Sequence, residues 1–215
     1  MDRASHWEQI FARKSDTQVS WYQPDPELSV KLIAQVQPSR DGCVIDVGGG
    51  TSVLVDRLLG LGYDCLTVLD ISALALARSR DRLGERAGRV RWLNGDITEM
   101  SDLGSYSVWH DRAAFHFLTA NNDRRRYAEI ARRTIRPGGH AIIATFAPDG
   151  PDQCSGLEVC RYDAQSLVRE MGSGFHIEQQ VRETHTTPWG TEQPFVYTVL
   201  QRSAQVESHR CDSEP

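Results

Sequence analysis

Short apolar runs alternate with amphipathic helical patterns along most of the chain. Apolar runs of about five residues between turn residues are typical of buried strands, and apolar residues three or four apart are typical of helices. Strands are predicted at residues 43–47, 65–69, 89–93, 106–110 and 140–146, and helices at residues 52–61, 73–83, 123–135 and 163–171. This alternation favours a parallel sheet that is covered by helices on both faces.

The two ends of the chain depart from this alternation. Residues 6–36 are predicted to be helical, with an interruption at Pro24 and Pro26. Near the other end, residues 175–183 and 195–201 form two strand-like runs with only a turn between them. A parallel pair would need a longer crossover connection, so these two strands are expected to pair antiparallel.

The composition is that of a globular protein with a single domain. The chain has 215 residues, of which 40% are hydrophobic and 25% are charged, and these values are ordinary for a domain with a substantial core. The net charge of −5 provides no basic surface for nucleic acid or an anionic membrane, so neither is expected as a partner. No apolar run approaches the ~20 residues of a membrane span, and residues 1–8 lack the apolar segment of a signal peptide. A cytoplasmic protein is therefore expected.

The five cysteines favour the same compartment. No Cys-x-x-Cys pair occurs, and Cys43 and Cys65 lie in predicted strands, where a free cysteine behaves as a small hydrophobic residue. Reduced thiols of this kind are typical of the cytoplasm. Cys154 and Cys160 are also expected to be packing thiols, and no metal site is expected because their spacing is not that of a zinc site.

The strand at residues 43–47 leads into three consecutive glycines, Gly48, Gly49 and Gly50. Glycine lets the backbone turn sharply and approach a ligand closely because it has no Cβ. The next strand is followed by Asp70, and an acid at this place can accept hydrogen bonds from both hydroxyls of a ribose. The two features together predict a nucleoside-binding crevice.

Neither a dinucleotide nor a nucleoside triphosphate is the expected ligand of this crevice. A dinucleotide fold needs a third glycine where this chain has Val53, and a phosphate loop needs Gly-Lys-Ser or Gly-Lys-Thr after the glycines. No basic residue near the loop would neutralise a pyrophosphate, and Asp46 would repel one. A nucleoside cofactor that carries a positive charge is favoured instead.

Four segments, taken together, resemble the class I S-adenosylmethionine-dependent methyltransferases. They are residues 46–52, Asp70, the segment Gly95-Asp96-Ile97 and the turn Pro137-Gly138-Gly139. The resemblance implies an α/β fold, a three-layer αβα sandwich around a mostly parallel seven-stranded sheet. The implied strand order is 3-2-1-4-5-7-6, with strand 7 antiparallel. It also implies S-adenosyl-L-methionine as the cofactor and S-adenosyl-L-homocysteine as the product.

Three parts of the chain are predicted. Residues 1–38 form a helical cap or lid, residues 39–202 form the methyltransferase domain, and residues 203–215 form a polar tail that is expected to be disordered. In the cap, Trp21 is expected to lie against the cofactor, where its ring would exclude water and attract the sulfonium by a cation–π contact. The alternative is that Trp21 only anchors a helix on the sheet.

The resemblance also implies a role for individual residues around the cofactor. The three glycines would pass below the methionine part, Asp46 would lie near its ammonium group, Asp70 would bind the ribose, and Asp96 would accept a hydrogen bond from the adenine amino group. Asp70 and Asp96 could instead be turn or N-cap residues, and Thr51 or Ser52 is the expected N-cap of the following helix. The residues predicted to bind the cofactor are Trp21, Asp46, Gly48, Gly49, Gly50, Ser52, Asp70, Ile71, Ser72, Asp96, Ile97 and Asp111.

The methyl acceptor is expected beyond the carboxyl end of the fourth strand, because open α/β sheets bind their ligands at that edge. Asp111 and His116 follow this strand and are the candidate catalytic residues, which would orient or deprotonate an acceptor. A pairing of Asp111 with Arg112 that only braces the loop is the alternative for the acid. A purely structural role is the alternative for His116.

Three functions are compatible with these features. A small-molecule methyltransferase would use a compact pocket formed by N-terminal aromatic residues, His116 and residues 147–161. A protein lysine methyltransferase is the first alternative, because Trp7 followed by residues 20–23 is similar to small enzymes of that kind. However, Asp111-Arg112-Ala113 stands where some of them have an acid followed by Lys-Gly-Thr. A catalytically inactive cofactor-binding protein is the second alternative, and the oligomeric state is left open.

Overall fold

The structure is a computed structural model that describes residues 2–204, so Cys211 and most of the predicted tail lie outside the described residues. Its strands are β1 Val44–Val47, β2 Leu66–Asp70, β3 Val90–Asn94, β4 Tyr106–Arg112, β5 Ile135–Phe146, β6 Gln153–Cys154, β7 Leu157–Glu158, β8 Phe175–Thr186 and β9 Glu192–Arg202. Its α-helices are α1 Arg3–Arg13, α2 Glu27–Val36, α3 Leu54–Gly60, α4 Ala73–Leu83, α5 Asn121–Thr134 and α6 Ala164–Met171. Short 3₁₀ helices lie at Asp16–Gln18, Gly84–Arg89, Ile97–Glu99 and Phe115–Phe117.

Seven of these strands form one sheet in the order β3-β2-β1-β4-β5-β9-β8. The pairs between β3, β2, β1, β4 and β5 are parallel, whereas β9 runs antiparallel to both β5 and β8. With β8 and β9 as the sixth and seventh strands of the sheet, the predicted order and the antiparallel seventh strand are confirmed. The parallel strands are joined by helices, and the antiparallel pair is joined by a turn, as the interval lengths require.

The core consists of two apolar clusters. Successive residues of a strand point to opposite faces of the sheet. Accordingly, Val44 and Ile142 belong to one cluster, and Ile45 and Ile143 belong to the other. The same alternation places two polar residues of β1 and β4 side by side, since Asp46 and His110 are register partners.

Several boundaries differ from the predictions. Strand β5 begins at Ile135 rather than at residue 140, and the predicted turn lies within it, where Gly138 has a φ of 75°. The pairing of β4 and β5 shifts register at this end of the two strands, so the strand accommodates the glycines as an irregularity. Helix α3 begins at Leu54, two residues later than predicted, with Val53 in the N-cap position. Ser52 still contributes, because its hydroxyl accepts a hydrogen bond from the Leu54 N–H at 3.1 Å.

The prediction that Cys43 and Cys65 are free thiols is wrong, because the two residues form a disulfide bond. They immediately precede the neighbouring parallel strands β1 and β2, whose register pairs Val44 with Leu66. Because the strands are hydrogen-bonded neighbours, their preceding residues meet across the same gap. The argument from free thiols to a reduced compartment therefore does not hold for this pair, whereas Cys154 and Cys160 are free.

The segment before β1 packs over the carboxyl edge of the sheet. Arg78 of α4 donates hydrogen bonds to the carbonyl oxygens of Phe11 and Lys14, at 2.7 and 2.9 Å, and so holds the end of α1. In the same segment Ser29 and Leu32 of α2 are buried. Within residues 2–204, none of the helices is long and apolar enough to cross a membrane.

Candidate functional site

The glycine loop after β1 makes the floor of the site. Gly48 and Gly50 have φ values of 71° and 47°, in the region that favours glycine over other residues. A Cβ on Gly48 would lie 2.6 Å from the Cβ of Ala114, and one on Gly50 would lie 3.1 Å from Oδ2 of Asp70. The position of Gly48 therefore has no room for a side chain, and the backbone itself forms the floor of the site.

A first cavity opens where β1, β2, β3 and β4 end. Its floor includes Gly48, its walls include Asp70, Ile71, Asp96 and Ile97, and residues of α1 cover it. The lining residues are Arg3, Trp7, Phe11, Trp21, Val47, Gly48, Leu69, Asp70, Ile71, Gly95, Asp96, Ile97, Arg112, Ala113, Ala114, Phe117, Leu118 and Cys154.

Asp70 closes β2 at the wall of this cavity and is almost completely buried. Its Oδ1 accepts a hydrogen bond from the Ser72 N–H at 2.8 Å. Burial raises the pKa of Asp70 to about 7, with smaller contributions from the charges of Asp46 and Glu8. The structure thus places a buried carboxyl group with a raised pKa where the sequence predicts a ribose ligand.

Asp96 lies on the opposite wall and is engaged by the cap. Its carboxylate accepts hydrogen bonds from the N–H and the hydroxyl of Thr98, at 2.9 and 2.7 Å. Arg3 of α1 forms an ion pair with Asp96 at 3.0 Å and donates to the Thr98 hydroxyl. Asp96 is also the N-cap of a 3₁₀ helix, as the alternative interpretation proposes. It lines the cavity as well. The contribution of Arg3 was not predicted, because nothing in its local sequence distinguishes it.

A second, more polar cavity lies on the other side of the glycine loop. Asp46, Gly49 and Ser52 line it, and Gly48 and Trp21 line both cavities. The remaining residues around it are Asp16, Val19, Tyr22, Gln23, Pro26, Ser29, Thr51, Leu54, His110 and Arg112. The two cavities are therefore adjacent compartments of one site, and the glycine loop and Trp21 form the boundary between them.

Asp46 lies in a buried chain of hydrogen bonds in the second cavity. Its Oδ1 is 2.7 Å from Nδ1 of His110, and Nε2 of His110 is 2.9 Å from the hydroxyl of Ser29. All three side chains are almost fully buried. Sequence analysis missed His110 and Ser29, although the strand pattern places residue 110 opposite residue 46 once the register is known.

Aromatic rings from the cap cover the first cavity. The ring centroids of Trp7 and Trp21 are 5.6 Å apart, and those of Trp7 and Phe117 are 4.8 Å apart, in edge-to-face arrangements. Phe11 also lies 6.1 Å from Trp21. Such pairs are favourable geometries for aromatic side chains. The cap therefore covers the cavity with aromatic rings, and Trp21 is one of them.

Arg112 ends β4 at the boundary between the cavities and lines both. Its Nε donates to the Tyr197 hydroxyl and its Nη1 donates to the Trp21 carbonyl oxygen, each at 3.0 Å. The guanidinium also lies 4.5 Å from the centroid of the Phe195 ring. Sequence analysis assigned Arg112 only as an alternative partner of Asp111. Its position as an inward-facing cation follows from the β5–β9 pairing, which brings Phe195 and Tyr197 beside it.

The structure does not place Asp111 against either cavity. The side chain is fully buried, and its carboxylate accepts hydrogen bonds from the N–H groups of Ala114 and Phe115 and from the Tyr127 hydroxyl, the last at 2.6 Å. Burial raises the pKa of Asp111 to about 6, although these hydrogen bonds oppose the rise. The residue braces the turn after β4, as the alternative interpretation proposes, but through these partners and not through a pairing with Arg112.

His116 is also buried, and its geometry fits the structural alternative. Its ring meets Phe117 edge to face and Phe146 at a tilt, and the Phe146 N–H donates to Nδ1 at 3.4 Å. Burial, followed by the charge of Arg112, lowers the pKa of His116 to about 3, so the ring is neutral. Gly50 and Ser72, among the predicted cofactor-binding residues, do not line the two cavities within the described residues. Ser72 is the N-cap of α4, with its hydroxyl 3.1 Å from the Ala75 N–H.

Part of the chain matches a family of known proteins. Residues 44–139 match the family described as methyltransferase domain. The chain is similar to the eEF1A lysine and N-terminal methyltransferase of Danio rerio, with 28% identity over 151 residues. It is also similar to the ubiquinone/menaquinone biosynthesis C-methyltransferase UbiE of Methylobacterium nodulans, with 34% identity over 123 residues. Part of the chain, residues 44–139, thus matches a methyltransferase family, and the solved structures that share its fold are class I S-adenosylmethionine-dependent methyltransferases.

The alignments define how far this similarity extends. The match to the Danio rerio protein covers 68% of this chain and 21% of that protein, and the match to UbiE covers 54% of this chain and 47% of that enzyme. The chain therefore spans only part of the length of these relatives. In fold, the chain matches the N-methyltransferase NodS from Bradyrhizobium japonicum, solved with S-adenosyl-L-homocysteine, with a TM-score of 0.70 and 14% identity over 94% of this chain and 99% of that one.

The structural neighbours support S-adenosylmethionine as the cofactor, and the residues of the first cavity fit it. Gly48 presents backbone without a side chain to the cavity, the buried carboxyl of Asp70 is a hydrogen-bond partner for hydroxyl groups, and Ile71 and Ile97 provide an apolar surface for a flat base. Within residues 2–204, the His, Cys, Asp and Glu residues form no group of three or more that would hold a metal ion.

Proposed function

We propose that the protein transfers the methyl group of S-adenosylmethionine to a small-molecule nucleophile. The cover over the first cavity is the observation that supports this proposal. Trp7, Trp21 and Phe117 close the cavity with rings in contact, and Cys154 of the loop after β5 completes the wall beside Arg112. A largely apolar compartment under a cover of aromatic rings suits a compact acceptor better than an extended polypeptide.

The roles proposed for the residues of the chain are positioning and exclusion of water. When bound, S-adenosylmethionine supplies a methyl group that is activated by positively charged sulfur. The glycine loop and Asp70 hold one reactant, and the aromatic cover holds the other in line and keeps water out. Alignment of two reactants in this way supplies ~7–11 kcal/mol of the barrier reduction. The aromatic faces also stabilise positive charge next to them.

A general base from Asp111 or His116 is not part of the proposed mechanism. Both side chains are fully buried away from the cavities. Proximity and water exclusion then account for catalysis with an acceptor that presents a lone pair, because such a nucleophile needs no deprotonation before transfer.

Methylation of a protein lysine is the alternative function. The relatives from Danio rerio and other animals support it, since they are named as methyltransferases of eEF1A. The buried guanidinium of Arg112 opposes it, because a lysine ammonium entering beside this cation would be repelled. Cofactor binding without transfer is a third possibility, which no contact in the site favours over transfer.

Incubation with S-adenosylmethionine carrying a labelled methyl group tests the proposal. The purified protein is added to a cell lysate, which is then separated into protein and metabolite fractions. Label in a metabolite other than S-adenosylmethionine is expected, and transferred label found only in the protein fraction would contradict a small-molecule acceptor. A protein that binds S-adenosylhomocysteine in calorimetry but labels neither fraction would contradict transfer itself. An Asp70→Ala variant, which is expected to lose cofactor affinity, is the control for enzyme-dependent labelling.

A further inference from the structure

Arg112 carries hydrogen-bond donors that the protein does not use. A guanidinium has five N–H donors, and the structure engages one on Nε, with Tyr197, and one on Nη1, with Trp21. Nη2 is buried and has no hydrogen-bond partner among residues 2–204. The whole side chain is only 9% exposed. A buried cation with unused donors is costly unless an anion supplies the missing acceptor.

The neighbouring acid does not supply that acceptor. Oε2 of Glu183 lies 4.0 Å from Nη2, which is beyond hydrogen-bond length. Glu183 is instead within 3.5 Å of the side-chain amide of Gln23, and it keeps 21% of its side chain exposed. The pair thus balances charge across β4 and β8 but leaves the guanidinium short of an acceptor.

The remaining contacts hold the guanidinium in one orientation. The Phe195 ring lies on one face of it, and the Tyr197 hydroxyl and the Trp21 carbonyl fix two of its nitrogens. The side chain therefore has a planar fork that is already oriented at the boundary of the two cavities, which is the geometry that recognises a carboxylate through two parallel hydrogen bonds.

We propose that Arg112 binds a carboxylate group of a ligand at the boundary between the two cavities. This inference rests on the proposed function, because it concerns the ligands of that site. Two ligands could carry the carboxylate: the amino-acid end of the cofactor, which the sequence resemblance places near Asp46 and the glycine loop, or the methyl acceptor. In the first case Asp46 and Arg112 bind the two ends of a zwitterion. In the second case the acceptor is a carboxylic acid.

Calorimetry with the wild-type protein and Arg112→Gln distinguishes these two sources. The first arm compares S-adenosylhomocysteine with 5′-methylthioadenosine, which lacks the amino-acid part. The second arm compares benzoate with benzamide, an aromatic acid and its neutral amide, added to protein saturated with S-adenosylhomocysteine. If the cofactor supplies the carboxylate, Arg112→Gln weakens S-adenosylhomocysteine binding about tenfold or more and leaves methylthioadenosine within twofold. If the acceptor supplies the carboxylate, the variant binds both nucleosides with unchanged affinity and loses a preference of about tenfold for benzoate over benzamide.

The proposal would be overturned if Arg112→Gln kept two wild-type affinity ratios, that of S-adenosylhomocysteine to methylthioadenosine and that of benzoate to benzamide. A second variant decides the matter if Arg112→Gln does not fold. Glu183→Gln removes the negative charge 4.0 Å from Nη2 and should strengthen binding of S-adenosylhomocysteine or benzoate about threefold or more, relative to the neutral probe. Glu192→Gln, which alters an exposed acid at the start of β9, is the matched control. Equal affinities in Glu183→Gln and Glu192→Gln would also overturn the proposal.

These outcomes are separate from failure of the proposed function. A lysate that yields only labelled protein contradicts the small-molecule acceptor but leaves the first calorimetric arm intact. Unchanged binding in Arg112→Gln contradicts the role of Arg112 and leaves methyl transfer to a small molecule untouched.

Discussion

Nδ1 of His110 lies 2.7 Å from Oδ1 of Asp46, its register partner across the β1–β4 pair. The other ring nitrogen of His110 lies 2.9 Å from the hydroxyl of Ser29 in α2. The histidine therefore connects the strand that leads into the glycine loop with the segment that covers it. A buried polar chain of this kind stabilises one arrangement of its members when each is satisfied, and it is costly when one partner is removed.

Ser29→Ala and His110→Phe are expected to differ in their effect on stability. Ser29→Ala removes one hydrogen bond and should lower the free energy of unfolding by about 1 kcal/mol. His110→Phe leaves both Asp46 and Ser29 buried without a partner and should lower it by about 3 kcal/mol or more. Urea unfolding followed by tryptophan fluorescence measures both values. Equal losses in the two variants would show that the histidine does not connect the two groups.

Cofactor affinity should depend on pH through Asp70. The carboxylate must be ionised to accept hydrogen bonds from both ribose hydroxyls, and burial raises its pKa to about 7 in the ligand-free protein. The affinity for S-adenosylhomocysteine should therefore rise about tenfold per pH unit below pH 7 and level off above it. Calorimetry in steps of about one pH unit, from about pH 5.5 to about pH 8.5, measures this dependence. Asp70→Asn should bind weakly at every pH, and a slope that persists in this variant would assign the titration to another group.

The stability of the ligand-free protein should depend on Asp70 with the opposite sign. Its folded-state pKa lies above the ordinary value of 3.8, so the folded state binds more protons than the unfolded state between about pH 4 and pH 7. Stability from this group is greatest below that interval and is lost as the pH rises through it, by up to about 4 kcal/mol. Asp70→Asn should reduce the decline, and denaturant unfolding at a series of pH values measures the difference.

Binding of the cofactor should change the fluorescence of the tryptophans that line the site. Trp7 and Trp21 line the first cavity, whereas Trp189 is 58% exposed in the turn between β8 and β9. The signal on addition of S-adenosylhomocysteine should be lost in a Trp7→Phe, Trp21→Phe double variant. Trp189→Phe is the matched control and should keep the full signal. Loss of the signal in Trp189→Phe instead would contradict the placement of the cap over the cofactor.

Asp111 and His116 should contribute to folding and not to proton transfer. Asp111→Asn places an amide NH₂ group against the N–H donors of the turn after β4 and should destabilise the protein by about 1–3 kcal/mol. Asp111→Asn and His116→Gln should both retain methyl transfer once folded. Because the pKa of His116 is lowered to about 3, the pH–rate profile from pH 5 to 9 should not change in His116→Gln. A step that disappears from the profile in this variant would restore His116 as a base.

The Cys43–Cys65 disulfide should stabilise the protein measurably. It closes a loop with a sequence separation of 22, and the loss of chain entropy in the unfolded state corresponds to about 3 kcal/mol. Reduction with dithiothreitol should therefore lower the unfolding midpoint of the wild-type protein but not that of a Cys43→Ser, Cys65→Ser variant. Cys154→Ser is the control and should respond to the reductant as the wild-type protein does. An unchanged wild-type midpoint after reduction would contradict the bond.

Local patterns were sufficient for the main elements of the fold. The spacing of apolar residues located each strand of the large sheet, and the short interval between β8 and β9 predicted their antiparallel pairing. Local patterns failed to predict the structure where pairing between distant segments overrides local preference. Strand β5 continues through Pro137-Gly138-Gly139 because it pairs with β4 on one side, and the disulfide forms because two strands far apart in sequence are neighbours.

The sequence by itself determined the fold class, the family resemblance and the positions of the glycine loop, Asp70 and Asp96, since each of these is carried by a short segment whose chemistry is local. The tertiary structure decided which other side chains face the ligand. It buried Asp111 and His116 against the turn after β4 and brought Arg112 to the boundary of the two cavities. The physical reason is that burial and hydrogen-bond partners depend on strand register and on segments packed from elsewhere in the chain, which no local pattern specifies.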